Sequence, residues 1–314
     1  MLQLLRPSLL EQSSKLQNDF LRARPFRHLV IDRFLAESFC EALCREFPPF
    51  DERNAVNELG AVGRKAVVPA LRRIGPAYEQ FDRLMQSRQF RALVGNLTGI
   101  PHLLYDPEYF GGGTHENRNG QELDIHIDFN YHPSTHTHRR LNLIVFLNPE
   151  WHDDWGGCLE LHENPWGPPP EDFTVKVLPL RNRCVIFETT LASWHGFPLI
   201  RTPPDRPDIS RRSIAVYFYT RERPEEEIAP RHSTVYVPQR VPDYVQAGHT
   251  LTPEDVERLE VLFQRRDDQI RYLYEREKEI LAVLDSITRS PTFRVARLAA
   301  VPARMWKSAK HRSP

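Results

Sequence analysis

Cysteine is scarce in this chain. There are four in 314 residues, Cys40, Cys44, Cys158 and Cys184, and no two are spaced as CxxC. That argues against a disulfide framework or a zinc knot and points to reduced thiols in a cytoplasmic protein. A charge excess is missing too. Lys+Arg and Asp+Glu both number 42, so the formal net charge is zero. No global field draws the chain to nucleic acid or to an anionic surface. Long apolar runs are absent, and nothing approaches the roughly 20 residues of a membrane span. The opening MLQLLRPSLL is broken by Arg6, Pro7 and Ser8, so no secretory leader is expected.

Proline, by contrast, is abundant. Of the 27 prolines, 11 fall in 163–173, 201–208 and 221–243, which suits short strands joined by irregular loops. Four regions follow from the patterning: 1–100, 101–240, 252–290 and 291–314. The first reads mostly helical. LAESFCEALCREF and YEQFDRLMQSRQFRALVGNLTG carry apolar residues at helical spacing, among them Phe81, Leu84, Phe90, Leu93 and Val94. FRHLVIDRFL (26–35) reads as a strand before them. The second region holds short β-branched or aromatic runs at 141–148, 158–163, 173–180, 184–189 and 213–220. With no room for crossover helices, they predict an all-β sandwich or jelly roll.

Residues 252–288 read as one long helix, with Thr252 as N-cap, Pro253 at the first position and Asp255 near the positive end. Val256, Leu259, Phe263, Ile270, Leu273, Ile280, Leu284 and Ile287 fall at heptad a and d positions, while Arg266 and Glu277 interrupt the seam. The pattern fits a homo-oligomer through 252–288, or a helix lying back on the β region. Pro291 ends it. The basic tail 291–314 has apolar spacers and reads as a frayed terminus or a weak membrane-surface or partner element.

A strand sends alternate side chains to opposite faces. In LDIHIDF, Asp124, His126 and Asp128 share one face, and Leu123, Ile125, Ile127 and Phe129 share the other. A histidine nitrogen and a carboxylate oxygen two residues apart can converge on one ion. The same spacing also arises on an exposed polar face. Further along, SWHGFP holds His195 between Trp194 and Gly196. A second imidazole from a separate strand would complete two histidines and one carboxylate. That set leaves coordination positions open and suits Fe(II) chemistry with oxygen and a bidentate cosubstrate.

DISRRSIAVYFYT then begins a strand with two arginines. By period two, Arg211, Ser213, Ala215 and Tyr217 share a face. A guanidinium grips a carboxylate bidentately, and a hydroxyl two residues on can donate to the same group. Arg212 shares its face with Ile214 and Val216, the core face, so Arg211 is the preferred arginine. Taken alone, the pair would read as a solvated strand end.

In the order HIDFNYH, RRLNLIVFLNPEWHDDWGGCLELHE, VLPLRNRCVIFET, SWHGFP and SRRSIAVYFYT, the segment from 103 to about 222 resembles the prolyl-4-hydroxylase-like group of Fe(II)/2-oxoglutarate-dependent dioxygenases. The resemblance implies an α+β chain with a double-stranded β-helix core, jelly-roll or cupin-like, N-terminal supporting helices and a long C-terminal helix. It implies His126, Asp128 and His195 as the iron ligands and catalytic centre. Arg211 would hold the distal carboxylate of 2-oxoglutarate, with Ser213 as a helper. Tyr109, in EYFGGG, is similar to the family's aromatic residue on the strand before the HxD motif, although an insertion separates them here. The implied cofactors are Fe(II), 2-oxoglutarate as cosubstrate and O2, with ascorbate as a reductant. The implied reaction is hydroxylation coupled to decarboxylation of 2-oxoglutarate to succinate. Asp128 sets the chain apart from halogenating relatives, which lack that carboxylate.

The resemblance leaves the substrate open. A peptidyl proline or another side chain is one expectation. The charged helix followed by SPTFRVARL looks like segments appended to bacterial surface-polysaccharide enzymes, which makes a saccharide or lipid-linked intermediate another. A repair-type dioxygenase acting on nucleic acid is disfavoured by the neutral charge. A non-catalytic jelly-roll metal-binding or assembly protein would lack a ligand or the arginine, and neither is lacking. His132, His136, His138, His152 and His162 show no fixed ligand spacing and read as loop histidines near the pocket mouth. Loops 110–121 and 130–140 bracket the HxD strand and are the expected substrate contacts and mobile lid.

Overall fold

The helices of the first region form where apolar residues recur every three to four positions. They are α1 (Ser8–Glu11), α2 (Ser13–Arg22), α3 (Glu37–Arg45), α4 (Pro76–Gln86) and α5 (Arg88–Thr98) in a computed structural model that describes residues 1–54 and 65–290. The basic tail 291–314 lies outside the described residues. The periodic stretch around 78–99 is split at Ser87. Its backbone is extended (φ −64°, ψ 137°), and its Oγ accepts from the Phe90 N–H at 3.2 Å, so a side-chain cap starts a second helix. Gly99, at φ 71°, ends that helix in the left-handed conformation glycine tolerates best.

The strands are β1 (His28–Ile31), β2 (Lys65–Val68), β3 (Leu104–Tyr105), β4 (Gly113–Asn117), β5 (Leu123–Ile127), β6 (His138–Phe146), β7 (Leu159–His162), β8 (Thr174–Val177), β9 (Arg183–Glu188), β10 (Trp194–Phe197), β11 (Arg211–Thr220) and β12 (Val235–Tyr236). One sheet of seven strands runs β1-β9-β6-β11-β4-β2, with β3 paired to β11. The other runs β12-β5-β10-β7-β8. From β4 to β11 the chain passes back and forth between the sheets, with antiparallel pairing throughout. This is a mixed α and antiparallel-β architecture, consistent with the expected jelly-roll core.

The large sheet is covered on both faces, which is why LNLIVFLN reads as an unbroken apolar run rather than an alternating one. Leu141, Leu143 and Val145 of β6, with Ile186, Ile214, Val216 and Phe218, pack against Phe81, Leu84, Phe90 and Leu93 of the helices. On the opposite face Phe146, Val185 and Phe187 meet Leu159, Leu161 and Val177 of the smaller sheet. Each buried Phe or Leu contributes about 1.5–3 kcal/mol of transfer free energy.

Besides its helices, the first region supplies β1, within the stretch 26–35 read as a strand, and β2 to the large sheet. One expectation is corrected here. The stretch 110–121 is not a free loop or lid. Its centre, β4, is hydrogen-bonded to β11 on one edge and β2 on the other, with His115 opposite both Ser213 and Val67. The sequence GTHEN carries no β-branched alternation, yet Thr114, Glu116 and Asn117 are buried. Tertiary pairing overrides local propensity there.

The chain divides into two units, Met1–Gln239 and Arg240–Pro314. The second holds α6 (Pro253–Arg289). The Asp255 N–H donates to Thr252 Oγ1 at 3.2 Å, and the Thr252 N–H donates to Asp255 Oδ2 at 2.8 Å. This reciprocal cap fixes the helix start where the sequence pattern places it. No residue of α6 is buried. Among the described residues, no helix is long and apolar enough to cross a membrane.

Candidate metal and cosubstrate site

β5 and β10 are antiparallel neighbours in the smaller sheet, and their register sets His195 opposite His126. Gly196 permits that approach, since a Cβ there would lie 2.6 Å from the Leu123 carbonyl oxygen. The two imidazole centroids are 4.3 Å apart. Asp128 follows the end of β5. One ligand atom from each of His126, Asp128 and His195 lies within 4.8 Å of the other two. Strands far apart in sequence thus bring the predicted triad together.

The hydrogen bonds fix the histidine tautomers. His126 Nδ1 lies 2.8 Å from the Asp124 carbonyl oxygen, and His195 Nδ1 lies 2.9 Å from that of Ser193. A carbonyl oxygen only accepts, so Nδ1 carries the proton in both rings and Nε2 presents a lone pair. His126 Nε2 is 3.7 Å from Asp128 Oδ1, and His195 Nε2 is 3.5 Å from Asp128 Oδ2. Two lone pairs and an anion therefore converge with no proton among them. Such an arrangement is repulsive by itself and becomes favourable around a cation. Two imidazoles and one carboxylate also match the donor set Fe(II) prefers, so the residues present fit the metal.

Electrostatics keeps the donors in ligating form. Burial opposes charge on Asp128, but the Arg139 guanidinium and a hydrogen bond from Asn142 hold its carboxyl well below the usual range. Burial pushes His195 below the ordinary imidazole value, against the pull of Asp128.

Arg139 is a site residue that the sequence reading missed. Its Nη2 is 3.1 Å from Asp128 Oδ2, and its Nε and Nη2 reach Asn142 Oδ1 at 3.0 and 2.8 Å. Asn142 Nδ2 in turn donates to Asp128 Oδ2 at 2.7 Å. The guanidinium lies 3.6 Å from the Tyr217 ring centroid and 4.4 Å from that of Phe129. Strict alternation along β6 would put Arg139 and Asn142 on opposite faces. A register shift against β11, between Phe218 and Tyr219, turns both inward.

Arg211 points inward and is 5% exposed. Its Nε donates to the Gly157 carbonyl at 2.6 Å, and its guanidinium lies 4.3 Å from the Phe197 centroid and 5.0 Å from that of Phe146. Among the described residues no carboxylate pairs with it. Burial without a counter-ion pulls its pKa down to about 9, an electrostatic penalty that a bound carboxylate would remove. Arg212 turns the other way, with Nε 3.3 Å from Glu116 Oε1 and its guanidinium over Phe47. Ser213 is buried on β11, two residues from Arg211.

Tyr109 is not brought to this site. It sits at φ 49° in the turn after Asp106, which swings its side chain into the helix-facing core. Its hydroxyl donates to Asp82 Oδ1 at 3.0 Å, and its ring packs edge-on against Tyr105. The expected placement beside the cosubstrate is corrected accordingly.

The remaining histidines split by role. His132 Nδ1 accepts from the Ser134 and Thr135 N–H groups at 3.2 Å, so its proton is on Nε2, facing Asp106 Oδ1 at 3.5 Å. Asp106 also accepts from the N–H groups of Glu108 and Phe110 at 2.9 and 2.8 Å. Asp106, Glu108 and His132 lie close together, but the first and last are committed to tying two loops to each other. His152 bonds Glu150 at the surface, and His162 Nδ1 meets Asp172 at 2.7 Å. His138 lines a small cavity beside Asp128 with Asn130, Thr189, Thr190, Arg223 and Glu227.

Comparison with known proteins identifies a domain. Residues 112–219 match the 2OG-Fe(II) oxygenase superfamily. The chain carries a 2OG-Fe(II) oxygenase domain. That superfamily is the non-haem iron class that works with Fe(II), 2-oxoglutarate and O2. The mouse protein named prolyl 3-hydroxylase OGFOD1 is 25% identical over 196 residues, 62% of this chain and 33% of the relative. The chain thus spans about a third of that relative's length. Among solved structures, a Trichoplax adhaerens prolyl hydroxylase in complex with a hypoxia inducible factor peptide fragment superposes with a TM-score of 0.47 at 16% identity. It covers 70% of this chain and 96% of that one. A Pseudomonas putida prolyl-4-hydroxylase gives 0.44 at 16% identity, covering 67% and 100%.

Proposed function

We propose that His126, Asp128 and His195 hold the ferrous ion of this oxygenase domain and that Arg211, assisted by Ser213, binds the distal carboxylate of 2-oxoglutarate. The observation that carries this reading is the convergence of two Nε2 lone pairs and one carboxylate with no hydrogen between them. Iron and cosubstrate, when bound, supply the oxidising power for hydroxylating a C–H bond while 2-oxoglutarate and O2 yield succinate and CO2. The chain's own residues do the positioning. The Asp124 and Ser193 carbonyls aim the imidazoles, Arg139 and Asn142 aim the carboxylate, and Phe146 and Phe197 keep water from the Arg211 guanidinium.

Arg139 gives a first test. Arg139→Gln removes the charge that orients Asp128 while keeping some of its volume. The variant is expected to bind Fe(II) about 10- to 100-fold more weakly, the usual cost of losing a partner to a metal ligand. Its affinity for 2-oxoglutarate at saturating metal should change far less. Anaerobic titration read by calorimetry separates the two. Unchanged metal affinity would remove Arg139 from the account.

Gly157 gives a second. It sits at φ 66°, and a Cβ there would lie 2.9 Å from Ile200 and Trp151 and 3.4 Å from Arg211 Cδ. Gly157→Ala adds strain of about 1–3 kcal/mol and displaces the backbone that orients Arg211. A KM for 2-oxoglutarate raised roughly tenfold, with metal affinity retained, is the expected outcome. A variant matching wild type on both would show that Gly157 does not position Arg211.

For the substrate, the mouse relative's name supports a peptidyl prolyl side chain. The charged helix followed by SPTFRVARL, which looks like segments appended to bacterial surface-polysaccharide enzymes, supports a second reading, a saccharide or lipid-linked saccharide. Incubation with proline-containing peptides and, separately, with oligosaccharide acceptors distinguishes them. Mass spectrometry then shows which gains one oxygen atom.

A further inference from the structure

The second unit carries a feature that the oxygenase reading leaves unused. α6 is a single helix of 37 residues that buries none of them. It is about 55 Å long at 1.5 Å per residue. Its heptad residues stand in the open, with Phe263 60% and Leu273 63% exposed. A helix that buries no face draws little stability from propensity alone, so a covering partner is needed. The seam says which partner fits.

Position a holds Val256, Phe263, Ile270, Glu277 and Leu284. Position d holds Leu259, Arg266, Leu273, Ile280 and Ile287. In a parallel, in-register pair, a meets a and d meets d. Arg266 would then face a second Arg266, and Glu277 a second Glu277. Asp255 at g would also lie beside Glu260 at e of the other helix. Three sets of like charges oppose that arrangement.

In an antiparallel pair, a layers with d of the other helix. With the two-fold axis between residues 271 and 272, Val256 meets Ile287, Leu259 meets Leu284, Phe263 meets Ile280 and Ile270 meets Leu273. In the same register, Arg266 meets Glu277. The two residues that interrupt the apolar seam become partners, once on each side of the axis. The axis falls at the middle of Pro253–Arg289, so nearly the whole helix is covered. On one flank Leu262 faces Val283, which extends the apolar contact.

We propose that α6 is a self-complementary surface that pairs with α6 of a second copy, antiparallel and in this register. The Arg266–Glu277 pairs set its orientation. The interface is isologous, as closed two-fold symmetry requires.

The test uses the full chain in sedimentation velocity between about 1 and 100 µM. Wild type is expected to dimerise in that range. Arg266→Glu sets two carboxylates against each other at each pair, and Glu277→Arg sets two guanidiniums against each other. Each should weaken the dimer at least about tenfold, since like-charge contacts in an interface cost several kcal/mol. Combining both reversals swaps the pair and should restore the wild-type constant to within about threefold. Circular dichroism monitors helix content, and the double variant serves as control should a single variant lose helix. Wild type that stays monomeric would overturn the proposal. Single variants as tight as wild type, as a parallel pair predicts, would also overturn it, and so would a double variant as weak as the singles.

Discussion

Wild-type protein given Fe(II) and O2 is expected to convert 2-oxoglutarate slowly to succinate in the absence of a primary substrate, and replacing His126 or Asp128 with alanine is expected to abolish that conversion. A partner of a metal ligand contributes 10- to 100-fold in affinity, and losing a ligand costs more than losing its partner. The rate should therefore fall by more than about 100-fold. The loss should not reflect unfolding. Neither residue belongs to the two large apolar clusters on the faces of the seven-stranded sheet, which hold Phe81, Phe90 and Phe218 on one side and Phe146, Val185 and Phe187 on the other. Thermal unfolding measured beside the succinate assay distinguishes a lost metal from a lost fold. Succinate formation that survives in a folded Asp128→Ala variant would remove that carboxylate from the metal centre.

Arg211→Ala should raise the 2-oxoglutarate concentration needed for half-maximal turnover by about 30- to 5,000-fold. That range corresponds to the 2–5 kcal/mol typical of truncating one partner of a buried charge pair. The guanidinium is 5% exposed, with aromatic rings at 4.3 and 5.0 Å and no carboxylate partner among the described residues. An incoming dicarboxylate is therefore the group that would satisfy it. Arg212→Ala is the internal control. That side chain meets Glu116 on the other face of β11 and is 39% exposed, so its loss should cost stability of no more than about 1 kcal/mol and leave KM near wild type. The reverse result, with Arg212 setting KM, would reassign the cosubstrate pocket to the opposite face of the strand. Initial rates against 2-oxoglutarate concentration decide between them.

What could be read from the chain, and what could not, follows from the range of the forces involved. Period-two alternation sends Arg211 and Arg212 to opposite faces, with Arg212 on the face of Ile214 and Val216, and the folded strand has them so, because β11 is regular from Arg211 to Phe218. The caps of α6 were equally local, since Thr252 and Asp255 bond within one turn. Arg139 was hidden because its direction depends on a register shift between two strands about 80 residues apart in sequence, and no window of β6 alone contains that shift. β4 was hidden for a related reason: GTHEN becomes a strand by pairing on both edges. Tyr109 was carried over from the resemblance alone, and its left-handed backbone in the turn after Asp106 takes its hydroxyl to Asp82 instead. Arg266 and Glu277 interrupt the apolar seam of one helix and face each other in the antiparallel pair proposed above.

The central claim is that one ferrous ion sits between His126, Asp128 and His195 with 2-oxoglutarate anchored on Arg211. A crystal grown anaerobically with Fe(II) and 2-oxoglutarate, with anomalous data collected at the iron edge, tests it most directly. The account predicts a single strong peak within bonding distance of both Nε2 atoms and an Asp128 oxygen, with the distal carboxylate of the cosubstrate on the Arg211 guanidinium. A peak elsewhere, such as beside Asp106 and His132, or a cosubstrate carboxylate held away from Arg211, would contradict it.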